Sequence, residues 1–456
     1  MRNSCKYIML SKKKTNNQGS LFLKLEDMLN QRHPIYILSN KVDWKLFDES
    51  FKELYCENNG RPAKPIRLMV GLLILKHLRN VSDESVVEQW SENVYYQYFC
   101  GETEFIPVEP CEASELVHFR HRIGEAGIEL IFKESIRING KDSNESSASI
   151  DTTVQEKNIT FPTDSKLHRR IIDKCKKIAE KENLPVRQSY TRTLKKLSLD
   201  QRFRNHPRNK WKARKADRKE KTIAGRLVRE LERNLTPNSK YAFDIEMFNR
   251  ILAQKKNGKN KIYSVHEPDV QCISKGKEHK KYEFGNKVSI IYTQTTGVII
   301  GALGFRNPYD GHTIEPALEQ TQRLLGKATI KTLIGDRGYK GKRQINDTTI
   351  EIPKPFSNSK QTQYQQNKLK KQFRRRAAIE PINGHLKTDH RLNRNFYKGI
   401  TGDNINVMLA AAAFNFKRMM NKWKSSFCDL LENYYCVIKL IVKFKNRTLF
   451  EFKLSF

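Results

Sequence analysis

Residues 373–387 read FRRRAAIEPINGHLK, and this stretch constrains the fold more than any other. At about 100° per helical residue, Arg376, Glu380, Asn383 and Lys387 fall along one stripe, with Ala378, Ile379, Ile382 and Leu386 opposite. One face is fit for burial, and the other sets a single acid among cations. Pro381 inside the pattern predicts a kink directly after it. Upstream, two aspartates occupy strand-like settings: Asp151 in ASIDTTVQ and Asp336 in TIKTLIGDRGY. Gly335 and Gly338 beside the second permit a tight turn. A carboxylate at the carboxyl edge of a strand is well placed for a site in an open α/β sheet. The expectation is that Asp151, Asp336 and Glu380 meet around divalent metal.

Lys and Arg number 85 against 50 Asp and Glu, a formal charge of +35. Such an excess points to a polyanion, most simply nucleic acid. The 8 cysteines form no C-x-x-C pair, which argues against zinc and for a reducing interior over a disulfide framework. No apolar run reaches the ~18 residues of a spanning helix, and no leader-like segment stands at the start. The sequence therefore predicts a cytoplasmic, nucleoid-associated protein with no membrane partner.

Taken in order, residues 1–30 are expected to be flexible and 31–138 to form a helical DNA-binding domain. There VDWKLFDESFKELY is amphipathic, IRLMVGLLILKHLRN is apolar almost all round, and Ser82 suits a helix N-cap. SELVHFRHRIGEAGIELIFKESI reads as a helix in two pieces because of Gly124 and Gly127, with His118, Arg120, His121 and Arg122 facing either DNA phosphate or solvent. Residues 139–165 hold a linker and the first strand or hairpin. A basic helical insertion spans 166–250, its surplus charge suited to a phosphate backbone. The remaining catalytic domain spans 251–424. It includes two strands turning near Thr296-Gly297, a helix in HTIEPALEQTQRLLG, strands in KTLIGD and TIEIPKP, and a long helix over 365–390. Residues 425–456 match no expectation. The order predicts a mixed sheet flanked by helices.

Phosphodiester chemistry needs charge neutralised on a pentacoordinate phosphate and a hydroxyl made nucleophilic. Two Mg²⁺ or Mn²⁺ ions ~4 Å apart supply both, and hard cations take oxygen ligands from Asp and Glu. His266 and His312, each alone in a loop, read more simply as structural residues.

The spacing Phe373-x2-Arg376-x3-Glu380-x6-Lys387 resembles the Y-x2-R-x3-E-x6-K signature of bacterial insertion-sequence DDE transposases of the insertion-sequence-five-like group. Phe373 stands where Tyr is usual, which removes a hydroxyl and keeps a stacking face. GDRGY at 335–339 resembles the segment carrying that family's second aspartate, and SIDTTVQEKNITFPTDSKL the segment carrying its first. The segments 263–290 and 307–318 also resemble its core, and the N-terminal helices its DNA-binding region. The resemblance implies an RNase H-like α/β catalytic domain, with the basic insertion after the first strand and an all-helical N-terminal domain. It implies cleavage at transposon ends and strand transfer into target DNA, with Asp151, Asp336 and Glu380 holding two metal ions. Arg376, Lys387 and Phe373 would meet DNA, with Arg337, Tyr339, Lys275 and Lys277 as further contacts. The partners implied are double-stranded DNA, both terminal inverted repeats and target, and a second copy of the chain in a homodimer. Two other readings use the same residues: an RNase H-like nuclease without strand transfer, and a catalytically inactive DNA-binding relic or repressor.

Overall fold

Ile66–Arg79 forms helix α1, and its side chains are buried almost continuously from Ile66 to Leu78, as an apolar run without a polar face requires. The computed structural model describes residues 8–9, 24–56, 61–236, 239–255, 257–274, 280–326, 330–341, 343–353 and 362–424. Most of the segment expected to be flexible and the whole of 425–456 lie outside them. The chain divides into two compact units, one of 1–153, 288–393 and 401–456, the other of 154–287 and 394–400.

In the first unit, Ser82 caps the helix after α1 by accepting a hydrogen bond from Ser85 N (3.1 Å). Helix α2, Ala113–Asn139, is broken at Gly124 (φ 59°, ψ −164°), whereas Gly127 stays helical. Glycine tolerates that backbone where other residues do not. Arg120 corrects the sequence reading of this helix. Its guanidinium is buried against Asp83 in two hydrogen bonds of 2.7 and 2.8 Å, so it offers DNA nothing. His118 and His121 remain exposed.

His77 on α1 is fully buried, with Nε2 facing Asn406 Oδ1 at 3.3 Å. Burial, then the charges of Lys76 and Arg391, holds its imidazole well below the ordinary pKa. Burial likewise lowers His390, whose Nδ1 lies 3.1 Å from the His77 carbonyl. The unfolded chain then binds more protons as pH falls below about 6.5, so stability is full above that value and drains away beneath it. The urea midpoint is expected to fall between pH 7 and pH 5, and His77→Gln to flatten the fall. An equally steep fall in the variant would mean that His77 is not its source.

The sheet is mixed. Strands β1 (Ser147–Lys157), β2 (Gln271–Ile273), β3 (Glu283–Thr293), β4 (Ile299–Phe305), β5 (Thr332–Ile334), β6 (Gln344–Ile345), β7 (Thr348–Glu351) and β8 (Arg394–Asn395) belong to it. The first expected strand is one long strand, not a hairpin. Within the first unit the order is β4-β3-β1-β5-β7-β6, with β1, β5 and β7 parallel and β6 antiparallel to β7. Gly297 makes the turn between β3 and β4 at φ 72°. The outer edge of β4 is met by a helix over 399–424. Its Asn415 accepts from Ile299 N (3.0 Å) and donates to Ile299 O (2.8 Å), and its Asn404 accepts from Gly304 N (3.0 Å). These amides occupy backbone groups that an open edge would leave free for another chain. Helix α5, Ile314–Leu325, follows β4 and buries Ile314, Ala317, Leu318 and Leu324.

In the second unit, β2 runs antiparallel to the start of β3, and β8 parallel to the end of β1. A Cβ at Gly285 would fall 1.9 Å from the Gln155 carbonyl oxygen, so only glycine fits there. Four helices complete the unit: α3 (Asp164–Lys181), Thr191–Asp200, α4 (Pro207–Asn234) and Ala242–Ala253. They enclose an apolar core that includes Ile171, Ile172, Leu227, Val228 and Phe248. The opposite face of α4 exposes Lys212, Arg214, Lys215, Arg218 and Lys219, a cationic stripe of the kind that meets phosphate without regard to base sequence. Among the described residues no helix is long and apolar enough to cross a membrane.

Candidate active site

Strands β1 and β5 are parallel neighbours, with Ser147 paired to Thr332, Ala148 to Leu333 and Ser149 to Ile334. Two residues onward stand Asp151, still within β1, and Asp336, just past the end of β5. Both carboxylates contribute charge around the Tyr339 phenol. Each is partly exposed. Asp336 sits where β5 gives way to a short 3-10 turn, Arg337–Tyr339, and its Oδ1 accepts the Gly338 N–H at 2.7 Å.

The long helix expected over 365–390 is two helices, α6 (Gln363–Arg376) and α7 (Ile379–Asp389). The break lies before Pro381 and not after it. The ring lacks an N–H and crowds the carbonyl four residues back, which is that of Ala377. Ala377 and Ala378 instead close tight bonds to Arg374 O and Arg375 O, both 3.1 Å. Arg376 therefore ends one helix, and Glu380 falls in the first turn of the next.

The break brings both helices to Asp151. Arg376 Nη1 lies 3.7 Å from Asp151 Oδ1, and Asn383 Nδ2 donates to Asp151 Oδ2 at 3.2 Å. Tyr292 on β3 donates its hydroxyl to the Arg376 carbonyl at 2.9 Å, which fixes the end of α6. Burial pushes the Tyr292 phenol up to about 12, so it stays a donor. Glu380 is exposed on α7, one turn before Asn383 and two before Lys387, which is half-buried. Residues so spaced share a helix face. Phe373 on α6 is half-buried and Arg337 exposed, whereas Lys275 and Lys277 lie outside the described residues.

Tyr339 was expected to meet DNA but is 1% exposed, and a buried ring presents no surface to a duplex. Burial, then the charges of Asp151, Asp310 and Asp336, holds its phenol well above the ordinary pKa. Its hydroxyl stands beside Thr152 but completes no well-formed hydrogen bond. Asp310, Thr152, Tyr292 and Asn383 were missing from the sequence-based site. Asn383 alone carried a signal, since it lies on the stripe with Arg376 and Glu380.

Two features of this donor set bear on a divalent ion. Its carboxylate oxygens are hard ligands of the kind such ions take. Gly338 also leaves a cradle, because a Cβ there would fall 2.9 Å from Asp336 Oδ1 and 3.0 Å from Asp310 Oδ2. Among the described residues, no group of three or more His, Cys, Asp or Glu is placed to hold a metal ion.

Residues 23–122 match the family described as "Transposase domain (DUF772)", and residues 256–416 match the "Transposase DDE domain". Over 190 residues the chain is 38% identical to a Rhizobium meliloti protein named "Uncharacterized protein ORF8 in nfe locus", covering 41% of this chain and 91% of that relative. No solved structure matches.

Proposed function

The chain belongs to the DDE transposases of insertion sequences, and we propose that it performs two phosphodiester exchanges at one site on an RNase H-like domain. In the first, water attacks the phosphate at an element end, a new P–O bond forms, and the strand leaves with a free 3′-hydroxyl. In the second, that hydroxyl attacks a phosphate of target DNA and the target strand leaves. One P–O bond replaces another each time, so no ATP is consumed. The observation that supports this reading is the parallel pairing of β1, which contains Asp151, with β5, which ends two residues before Asp336.

Asp151, Asp336 and Glu380 would hold Mg²⁺ or Mn²⁺, as two ions. Bound there, such ions neutralise charge building on the phosphate and acidify the attacking hydroxyl. Arg376 presents a planar fork suited to a phosphate's paired oxygens, and Lys387 a point charge. Phe373 would stack and Arg337 would reach the backbone beside Asp336. Two ends must be cut for an element to leave, which calls for two copies of the chain on DNA.

The test is the full chain in Mg²⁺ with labelled duplexes carrying the element's inverted repeats. Nicks ending in 3′-hydroxyls, and joining of a precleaved end to a target plasmid, are expected. Nicks without joined product would leave a nuclease. Binding with neither product in Mg²⁺ or Mn²⁺ would sink the enzymatic reading.

A further inference from the structure

In the second unit, helix Thr191–Asp200 and α4 pack against each other and are joined by a turn over 201–206. The turn is tied on both sides. Gln201 donates to Asp217 at 3.0 Å and to Glu220 at 2.9 Å, and Arg204 donates to both oxygens of Asp217, at 2.8 and 3.1 Å. Between these two anchors Phe203 is 78% exposed. Its backbone is left-handed, at φ 50°, a conformation that costs a bulky residue and that asparagine takes more readily. Strained backbone that carries an apolar ring into water does nothing for the fold by itself, and such strain gathers where a ligand is met. Trp211, in the second turn of α4, is 64% exposed, with Lys215 Nζ 5.1 Å from its ring centroid. A cation so placed favours one setting of the indole.

The surface around both rings is cationic. Over 192–229 every Lys and Arg is exposed, and none of the acids, Asp200, Asp217 and Glu220, is. Such a surface attracts polyanions, and for a transposase the polyanion is DNA. Phosphates need only the cations and give no reason for two large rings in water. Unpaired bases do, because a base face stacks on an aromatic ring whatever its sequence. In a duplex those faces are already covered by the neighbouring pairs.

We propose that the turn 201–206 and the first turns of α4 form a platform for unpaired DNA. Phe203 and Trp211 stack on bases, and Arg202, Arg208, Lys212 and Lys215 meet the phosphates beside them. The platform adds a contact for separated strand to the duplex contacts proposed above, and it does not depend on the carboxylates or their metal.

The test is fluorescence anisotropy of the full chain in EDTA with a labelled oligonucleotide of mixed sequence, single-stranded or as a blunt duplex. EDTA removes divalent metal, so the outcome is independent of catalysis. Phe203→Asn and Trp211→Ala are each expected to weaken single-strand binding by about tenfold and duplex binding by about twofold or less. Lys212→Ala should weaken both by a similar factor, since a phosphate contact does not distinguish them. The urea midpoint should hold in Trp211→Ala, and in Phe203→Asn it should match or exceed the wild type, because asparagine relieves the left-handed backbone. Unchanged single-strand affinity in both ring variants would overturn the proposal. Equal losses on strand and duplex would overturn it too, leaving a cationic surface for any DNA. Neither result touches the aspartate site, which is tested by cleavage in Mg²⁺.

Discussion

Asp336→Asn is expected to lower strand cleavage in Mg²⁺ by about a thousandfold or more, while binding of element ends changes by about twofold or less. The separation follows from what the side chain does. Its Oδ1 accepts the Gly338 N–H at 2.7 Å and so holds the turn Arg337–Tyr339. Asparagine retains that acceptor, and the turn survives. What disappears is the negative charge that Asp336 is proposed to bring to the reaction. A charge group acting on the transition state in a site of this kind is worth ~4 kcal/mol, about three orders of magnitude in rate. DNA affinity comes instead from the cationic surface, where each phosphate contact contributes a small, salt-sensitive share. Cleavage at the wild-type rate would remove Asp336 from the site. Loss of binding together with cleavage would mean a misfolded turn.

The parts of this arrangement that were legible in the sequence are those set by local pattern. KTLIGD is apolar until its aspartate, so the acid had to sit at a strand's end. FRRRAAIEPINGHLK has a helical period, so Ile379, Ile382 and Leu386 had to be the buried side. The parts that were not legible depend on partners far along the chain. Arg120 looks like a surface cation until Asp83, on another helix, takes both its donors. Tyr339 looks like a DNA contact until the fold buries its ring. Asp310 sits among turn formers in NPYDGHT, where aspartate is ordinary. Only its distance to Gly338 and Thr152 sets it apart. The break before Pro381 was readable in principle, because proline disturbs the turn preceding it. Its consequence, Arg376 and Asn383 both reaching Asp151 from separate helices, needed the fold.

Gly338→Ala is expected to leave the protein folded and to slow cleavage by about a hundredfold. Gly338 has no positive φ, so alanine meets no backbone strain there. The added Cβ would lie 2.9 Å from Asp336 Oδ1 and 3.0 Å from Asp310 Oδ2. Both are the ends of side chains that can swing away. Gly285 is the contrasting case, since a Cβ there strikes the Gln155 backbone at 1.9 Å and nothing nearby can yield. The stability cost at Gly338 should therefore stay within ~1 kcal/mol, offset in part by the stiffer unfolded chain that alanine gives. The carboxylates move instead, and with Asp336 acting as proposed a displacement of ~1 Å costs about 10²-fold. A urea midpoint close to that of the wild type with cleavage sharply reduced is the expected pair of results. Full activity would mean that the spacing of Asp310 and Asp336 does not matter to the reaction. A midpoint that fell together with activity would trace the loss to the fold. Because the clash is with two acids and no other group, this one methyl tests whether the two oxygens must stay where the glycine lets them stand.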